Sequence, residues 1–328
     1  MKATAVAPAN IAFIKYWGKA DPTTKIPSNN SVSMNLSEMT TTTTVEFSDR
    51  LDQDSVRFLG EDVVTDREIA RVISALDAIR SAANTKKKAR VVTKNSFPKA
   101  TGIASSASGF ASLAKASFAA LSHPVEEKNL SRFCRTLSGT ACRSIPDGIT
   151  EWEKGADADT SFAHSLYPPE YWDICDVVAI VSKTMKKVRS SDGHALAHTS
   201  PFYNDRIKGI DAKVSALKKA MEKKDFSAFG TIIEEEALNM HAICLTSRPG
   251  LLYWEPQTAA VMKLVLFLRE HHEIESYFTI DAGPSVHVIC EGKNAAKVAE
   301  GLKAVPGVMQ VVVNRPSKGA RLSSEHLF

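Results

Sequence analysis

FPKATGIASSASGFASLAKASFAAL, residues 97–121, reads as a glycine- and serine-rich loop running into a helix of small residues with periodic apolar ones. Gly102 and Gly109 permit close backbone approach, and Ser105, Ser106 and Ser108 add hydroxyl donors. The helix that follows aims its free N–H groups and positive dipole end at the loop, which makes an anion site, and phosphate fits best. Neither Gly-Lys-Ser/Thr after four spacers nor Gly-x-Gly-x-x-Gly is present, so the Walker and dinucleotide loops are set aside. A close-packed Ser/Ala helix that binds nothing shares this local pattern, so the loop alone leaves both readings open.

The chain around it has 328 residues and 35.7 kDa, enough for two modest lobes, each with a core. With 44% hydrophobic and 24% charged residues, wholesale disorder is excluded. A net charge of +4 suits an enzyme of polyanionic small molecules and falls short of a dedicated nucleic-acid surface. The five cysteines, Cys134, Cys142, Cys175, Cys244 and Cys290, are scattered, without Cys-x-x-Cys. That pattern points away from a disulfide framework or structural zinc and towards a reducing, cytoplasmic setting. Pro8 and Asn10 interrupt the N-terminal apolar run, and no stretch reaches the roughly 20 residues that span a bilayer, so neither export signal nor membrane anchor is expected.

Towards the N-terminus, ATAVAPANIAFIKYW at 3–17 predicts a strand, broken at Pro8, that turns before Gly18. Asn10, Lys15 and Lys19 are embedded among Ile11, Phe13, Ile14, Tyr16 and Trp17. A lysine in so apolar a run either extends its ammonium to water or meets an anion. IPSNNSVSMNL from Ile26 predicts a polar turn and a strand, and TTTTTVEF from Thr40 an antiparallel strand at a sheet edge. After Thr65, Ile69, Val72, Ile73, Leu76 and Ile79 recur at helical spacing, with Asp66, Arg67, Glu68 and Arg71 on the outer turns. The basic run at 86–90 lies between that helix and the strand RVVTKNSF and reads as a solvated turn.

Towards the C-terminus, an amphipathic helix over 126–137 is broken by SGTACRS from Ser138. Arg143 in that turn suits bidentate recognition of a carboxylate or phosphate, and equally a helix cap. DVVAIVS at 176–182 predicts a buried strand, with the lobe boundary just before it near Trp172. KTMKKVRSSDGHALAHTS reads as an ordered loop opening a long helix, and helical spacing continues through Ile207, Ile210, Val214 and Leu217, then from Phe226 to Met240. Strands over 276–280, 285–290 and 308–313 with a helix over 294–302 predict an antiparallel sheet with helices on one face. DAGPSV from Asp281 lies between the first two strands; its aspartate either presents a carboxylate to a cleft or forms a turn.

Taken in chain order, NIAFIKYWGK at 10–19, GIASSASG at 102–109, SGTACRS at 138–144, Ser190 with Ser191, and TIDAGP at 279–284 resemble the mevalonate diphosphate decarboxylases over nearly the whole chain. The loop by itself resembles only the wider GHMP superfamily of galactokinase, homoserine kinase, mevalonate kinase and phosphomevalonate kinase. Ile-Lys-Tyr-Trp-Gly-Lys with Ala-Cys-Arg-Ser and Asp-Ala-Gly-Pro narrows the resemblance to the decarboxylase branch. It implies an α/β (α+β), two-lobed GHMP-kinase fold. A ribosomal-S5-domain-2-like, ATP-binding lobe would cover 1–172 and a ferredoxin-like lobe 173–328, with the active site in the cleft between. It also implies an ATP- and Mg2+-dependent lyase that phosphorylates the tertiary 3-hydroxyl of 5-diphosphomevalonate, releases that phosphate and carbon dioxide, and forms isopentenyl diphosphate.

By position in the resembling motifs, Asp281 is the catalytic aspartate that orients or deprotonates the 3-hydroxyl, and Lys15 the lysine beside it. Arg143 clamps the substrate carboxylate, and Asn10 fixes that guanidinium. Ser106 orients the γ-phosphate and is the implied metal-side hydroxyl, while Gly102, Ala104, Ser105, Ala107 and Ser108 line the ATP phosphates. Tyr16, Lys19, Ser138, Thr140, Ser190 and Ser191 surround the C5 phosphates, with Arg67 or Arg71 as a further ligand. Asn95 and Ser96 are the candidates for adenine contacts. Thr140 stands where many members have serine, His194 where methionine is common, and Arg189 and Asp192 also depart from the family's forms. Those changes fall at the phosphate end and leave open a monophosphate substrate, giving isopentenyl phosphate. A mevalonate 3-kinase that stops after phosphorylation is disfavoured by the presence of both Lys15 and Asp281. A nucleic-acid binder is disfavoured, because the basic patch is short and no aromatic stacking surface accompanies it. The implied partners are the phosphorylated substrate, ATP and a second copy in a homodimer, with neither nucleic acid nor membrane.

Overall fold

The computed structural model describes residues 1–61, 63–97, 105–182 and 188–328. In chain order its elements are β1 (Lys2–Ile14), β2 (Lys19–Asp21), β3 (Ile26–Pro27), β4 (Ser31–Ser48), β5 (Ser55–Leu59), α1 (Asp66–Ala82), β6 (Lys88–Asn95), α2 (Ser105–Ala120) and α3 (Glu127–Leu137). A 3-10 turn, Gly139–Ser144, leads to β7 (Ile149–Trp152), β8 (Ala163–Tyr167) and β9 (Ile174–Ile180). There follow α4 (Ser190–Leu196), α5 (Tyr203–Lys223), α6 (Phe226–Thr246), α7 (Pro256–His271), β10 (Ser276–Thr279), β11 (Val286–Glu291), α8 (Ala295–Ala304), β12 (Gln310–Asn314) and β13 (Arg321–Ser323).

Among the described residues, one sheet runs β13-β1-β4-β6-β5, with β7 joined to β4 and β8 to β7. The threonine run is not an edge strand, as its alternation predicts: β4 is an interior strand between β1 on one side and β6 and β7 on the other. The reason lies in α2. Thr41 shares a 2.7 Å hydrogen bond with Ser108, and Thr43 one of 2.8 Å with Ser112, so hydroxyls that look solvent-facing are satisfied inside. Ala107, Ala111 and Ala114 let α2 lie close on that sheet, which aims its N-terminus at one end of β4 and β6. Pro8 sits within β1 at a register irregularity, where its missing N–H is tolerated.

The second sheet runs β10-β11-β9-β12, antiparallel throughout. Helices cover both its faces, not one as predicted. Val265 and Leu268 of α7 and Val298 and Leu302 of α8 pack on Val177, Val286 and Val288. On the other face Phe229 and Ile233 of α6 meet Val178, Ile180 and Ile289. That second face also receives Phe13, Ile14, Val32 and Met34 from β1 and β4, so the two sheets share one core. Helix α7 lies outside the sequence expectation, although Pro256 in its first turn and the spacing of Thr258, Val261, Val265 and Leu268 signal it. β13 returns to pair with β1, Thr4 opposite Ser323, adding the last strand to the first sheet. No helix among the described residues is long and apolar enough to cross a membrane.

Candidate active site

β1 ends at Ile14, and the chain leaves the sheet at Lys15 with its ammonium directed inward. There Lys15 Nζ lies 2.6 Å from Asp281 Oδ1 and donates to the Ala12 carbonyl at 2.8 Å. The Lys15 side chain is 1% exposed and that of Asp281 24%, so both line the cleft and the carboxylate is the more open half of the pair. Burial pulls the Lys15 ammonium below its ordinary range, opposed by Asp281 and then Glu236. At Asp281 burial pushes the other way, but the charge and hydrogen bond of Lys15 outweigh it and hold the carboxyl below the usual range. The ion pair is the form this environment stabilises.

Arg143, from the 3-10 turn, is 1% exposed and forms no salt bridge among the described residues. Its guanidinium donates from Nε to Asn10 Oδ1 at 3.2 Å and from Nη1 to Ser31 Oγ at 2.9 Å. Asn10 is in turn fixed by donating to Ser144 Oγ at 2.8 Å and to the Thr140 carbonyl at 3.2 Å. Burial lowers the guanidinium's proton affinity, with Cys142 and Asp281 opposing. A cation held this rigidly inside the protein is arranged for an anion that completes its hydrogen bonds.

Ser105 and Ser106 open α2 and line the same cleft, whose volume is about 1350 Å³. Ser138 donates to Ser106 Oγ at 3.3 Å, joining the residue expected on the substrate's phosphates to the one expected on the nucleotide's. Ala107 and Ser108 are fully buried, and the Ser108 hydroxyl is taken up by Thr41, so neither side chain is offered to the cleft. Gly102 and Ala104 lie outside the described residues. Asn95 and Ser96 both line the cleft.

The cleft also holds a group of cations. Lys19, Arg67, Arg71 and Arg189 line it together with Thr140, Ser190 and Ser191. Ser191 donates to Asp192 Oδ1 at 3.1 Å. Tyr16 is buried, and its hydroxyl has no hydrogen-bond partner among the described residues, as fits a donor kept for a ligand. His194 stacks on Tyr16 and Trp17, with ring centroids 4.1 and 4.6 Å away, and accepts from the Gly18 N–H at 3.1 Å. It is a buried, packed wall of the site. Sequence reasoning missed Lys25, which no motif marks. Its ammonium donates to the Thr136 and Leu137 carbonyls at the end of α3, and burial, with Arg71 and Lys19 adding to it, pulls it down to about 8.

The comparisons with known proteins concern the whole chain. The chain matches the family described as diphosphomevalonate decarboxylase-like N-terminal domain over residues 7–163 and the mevalonate 5-diphosphate decarboxylase C-terminal domain over 176–323. It is 33% identical to the diphosphomevalonate decarboxylase of Candida albicans, across 90% of this chain and 86% of that one. The solved mevalonate diphosphate decarboxylase of Staphylococcus aureus is 37% identical and superposes with a TM-score of 0.92 over 98% of both chains. A solved complex of MDDEF with MVAPP, AMPPCP and magnesium is 35% identical with a TM-score of 0.91, covering 98% of this chain and 99% of that one. With both halves of its length and the whole of its α/β architecture matched, the chain belongs to the diphosphomevalonate decarboxylase family.

Proposed function

We propose that this protein uses ATP to phosphorylate the 3-hydroxyl of mevalonate 5-diphosphate and then decarboxylates the product to isopentenyl diphosphate. The observation that carries the reading is the Lys15–Asp281 pair, 2.6 Å apart, in one cleft with buried Arg143 and the N-terminus of α2. Asp281 orients the hydroxyl and takes its proton as the oxygen attacks the γ-phosphorus and ADP leaves. The new phosphate departs with its C3–O electron pair and takes the proton from Asp281, so that the restored carboxylate stabilises the developing cation at C3. The C1–C2 bond electrons then close the double bond between C2 and C3, releasing carbon dioxide. Arg143, held by Asn10 and Ser31, binds the carboxylate that will be lost and fixes its orientation.

Tyr16, Lys19, Ser138, Thr140, Ser190 and Ser191, with Arg71, hold the diphosphate. Ser105 and Ser106 receive the nucleotide's terminal phosphates at the N-terminus of α2. Mg2+ fits this donor set, because it keeps several waters and phosphate oxygens and needs few protein ligands. The Ser106 hydroxyl at the head of α2 is the group that would hold it, and the ion would neutralise charge on the transferring phosphoryl group. The division near residue 172 separates a nucleotide-holding lobe from one that supplies Asp281. The protein works in the cytoplasm as a homodimer, a reading supported by the family resemblance and by five free, buried cysteines.

The test is turnover with ATP and Mg2+ on mevalonate 5-diphosphate and 5-phosphate side by side, recording ADP and carbon dioxide. Equal amounts of both products from the diphosphate support the reading. ADP without carbon dioxide would make the protein a kinase, and turnover of the monophosphate alone would reassign the substrate.

A further inference from the structure

We propose that Glu236 of α6 and Arg206 of α5 are positioning residues for the decarboxylation, acting through Lys15, an inference that rests on the reaction assigned above. Lys15 follows the last residue of β1, whose pairing with β4 ends at Ile14 opposite Val32. The Lys15 amide and carbonyl are therefore beyond the ladder, in a fully buried place where unpaired backbone groups are costly. Side chains from the second lobe take both. Glu236 Oε1 accepts from the Lys15 N–H at 3.2 Å, and Arg206 Nη2 donates to the Lys15 carbonyl at 2.8 Å.

The two clamping groups are themselves locked. Arg206 Nη2 pairs with Glu236 Oε1 at 2.5 Å, and both side chains are buried to within 1%. Arg206 Nη1 donates to Asn29 Oδ1 at 3.1 Å, while Asn29 Nδ2 donates to the same Lys15 carbonyl at 3.0 Å. Lys213 Nζ meets the outer oxygen, Glu236 Oε2, at 3.2 Å and is 23% exposed. A buried ion pair is a poor source of stability, since similar-sized apolar residues often serve as well or better. What this one does is hold both backbone handles of the residue whose ammonium must reach Asp281.

Glu236 also sets the field at that ammonium. The charged and titratable groups facing Lys15 are Asp281 from the loop after β10, Arg143 from the 3-10 turn, and Glu236 and His241 from α6. Arg206 of α5 faces its carbonyl. His241 is pushed down to about 4, first by burial and then by Lys15, so it stays neutral at working pH. Asp281 and Glu236 are thus the anions that keep Lys15 charged, against burial and Arg143.

The experiment compares the full-length protein with Glu236→Gln and Lys213→Met, measuring carbon dioxide release against pH with ATP, Mg2+ and mevalonate 5-diphosphate. Glu236→Gln keeps the shape and removes the charge. It is expected to lower kcat on the order of 10-fold with KM little changed. The alkaline limb of its kcat profile should move to lower pH by roughly half a unit or more. Lys213→Met removes the outer neutralising cation, so the same limb should move the opposite way. Circular dichroism melts establish that the variants fold. If Glu236→Gln does not fold, Lys213→Met decides alone. Limbs that stay put, or move in the same direction, overturn the proposal while the wild type's own release of carbon dioxide leaves the functional reading standing. A folded wild type that releases none sinks the functional reading itself.

Discussion

Lys15 Nζ and Asp281 Oδ1 sit 2.6 Å apart across 266 residues of sequence, brought together because the loop after β10 closes against the end of β1. Thr279, the last residue of β10, donates to the Ala12 carbonyl at 3.2 Å, the same carbonyl that receives Lys15 Nζ. One backbone oxygen thus ties strand to strand and orients the ammonium. The chemistry proposed for the cleft depends on that closure.

Replacing Asp281 by Asn preserves shape and removes both the proton acceptor and the anion opposite C3. ADP and carbon dioxide production should fall about 1000-fold, within the span that positioned acid–base groups supply. Lys15→Met should cost a comparable amount, and the double variant little more than either, since the two act as a unit. Product assays on all three variants check this; fully additive losses would show that the residues act separately.

The pH profile of kcat should be bell-shaped. Asp281 is held below its ordinary range, so its limb lies on the acid side, and activity falls as pH drops through that depressed value. Lys15 is also lowered, by burial, so activity is lost on the alkaline side earlier than for an exposed lysine. In Asp281→Asn the lysine loses the anion 2.6 Å from it, and the alkaline limb of the residual activity should move to still lower pH.

Arg143→Lys keeps the charge but cannot occupy Asn10 and Ser31 while also meeting a carboxylate in parallel. Loss of one charge-assisted bond of about 1.5–3 kcal/mol predicts roughly a 100-fold drop in kcat/KM. Asn10→Ala should reproduce part of it by freeing the guanidinium. Steady-state kinetics on both variants provide the measurement, and near-normal turnover in Arg143→Lys would remove Arg143 from the site.

Lys25 offers a second pH signature, confined to binding. With its ammonium pulled down to about 8 in the free protein, its charge is lost as pH rises through that value. KM for the diphosphate should rise there, while Lys25→Met, already lacking the charge, should show a higher KM at neutral pH and a flatter dependence. Parallel curves for the two proteins would exclude a contribution to binding.

Gly193 has no room for a side chain: a Cβ there would come within 2.7 Å of both the Trp17 ring and the Tyr253 hydroxyl. Gly193→Ala should therefore displace α4, which carries Ser190, Ser191 and His194, at an overpacking cost of roughly 1–3 kcal/mol. A lower melting temperature and a raised KM for the diphosphate are the expected results.

Local features were legible in the sequence because local forces make them. The apolar period after Thr65 gives α1, at whose start Thr65 and Glu68 form a capping box. The small-residue run after Ser105 gives α2, and the motif residues Asn10, Lys15, Arg143 and Asp281 all reach one buried cluster. What remained hidden depends on what each residue meets. The threonines of β4 read as an edge until the serines of α2 satisfy them, and Ser108 reads as a phosphate donor until Thr41 claims it. Lys25 and Glu236 carry no motif, since a lone lysine or glutamate takes its meaning from neighbours far away in the chain. Sequence alone fixed which chemical groups the cleft could draw on; the packing of two sheets on one core decided which of them face it, because burial and partner charges are properties of the assembled interior.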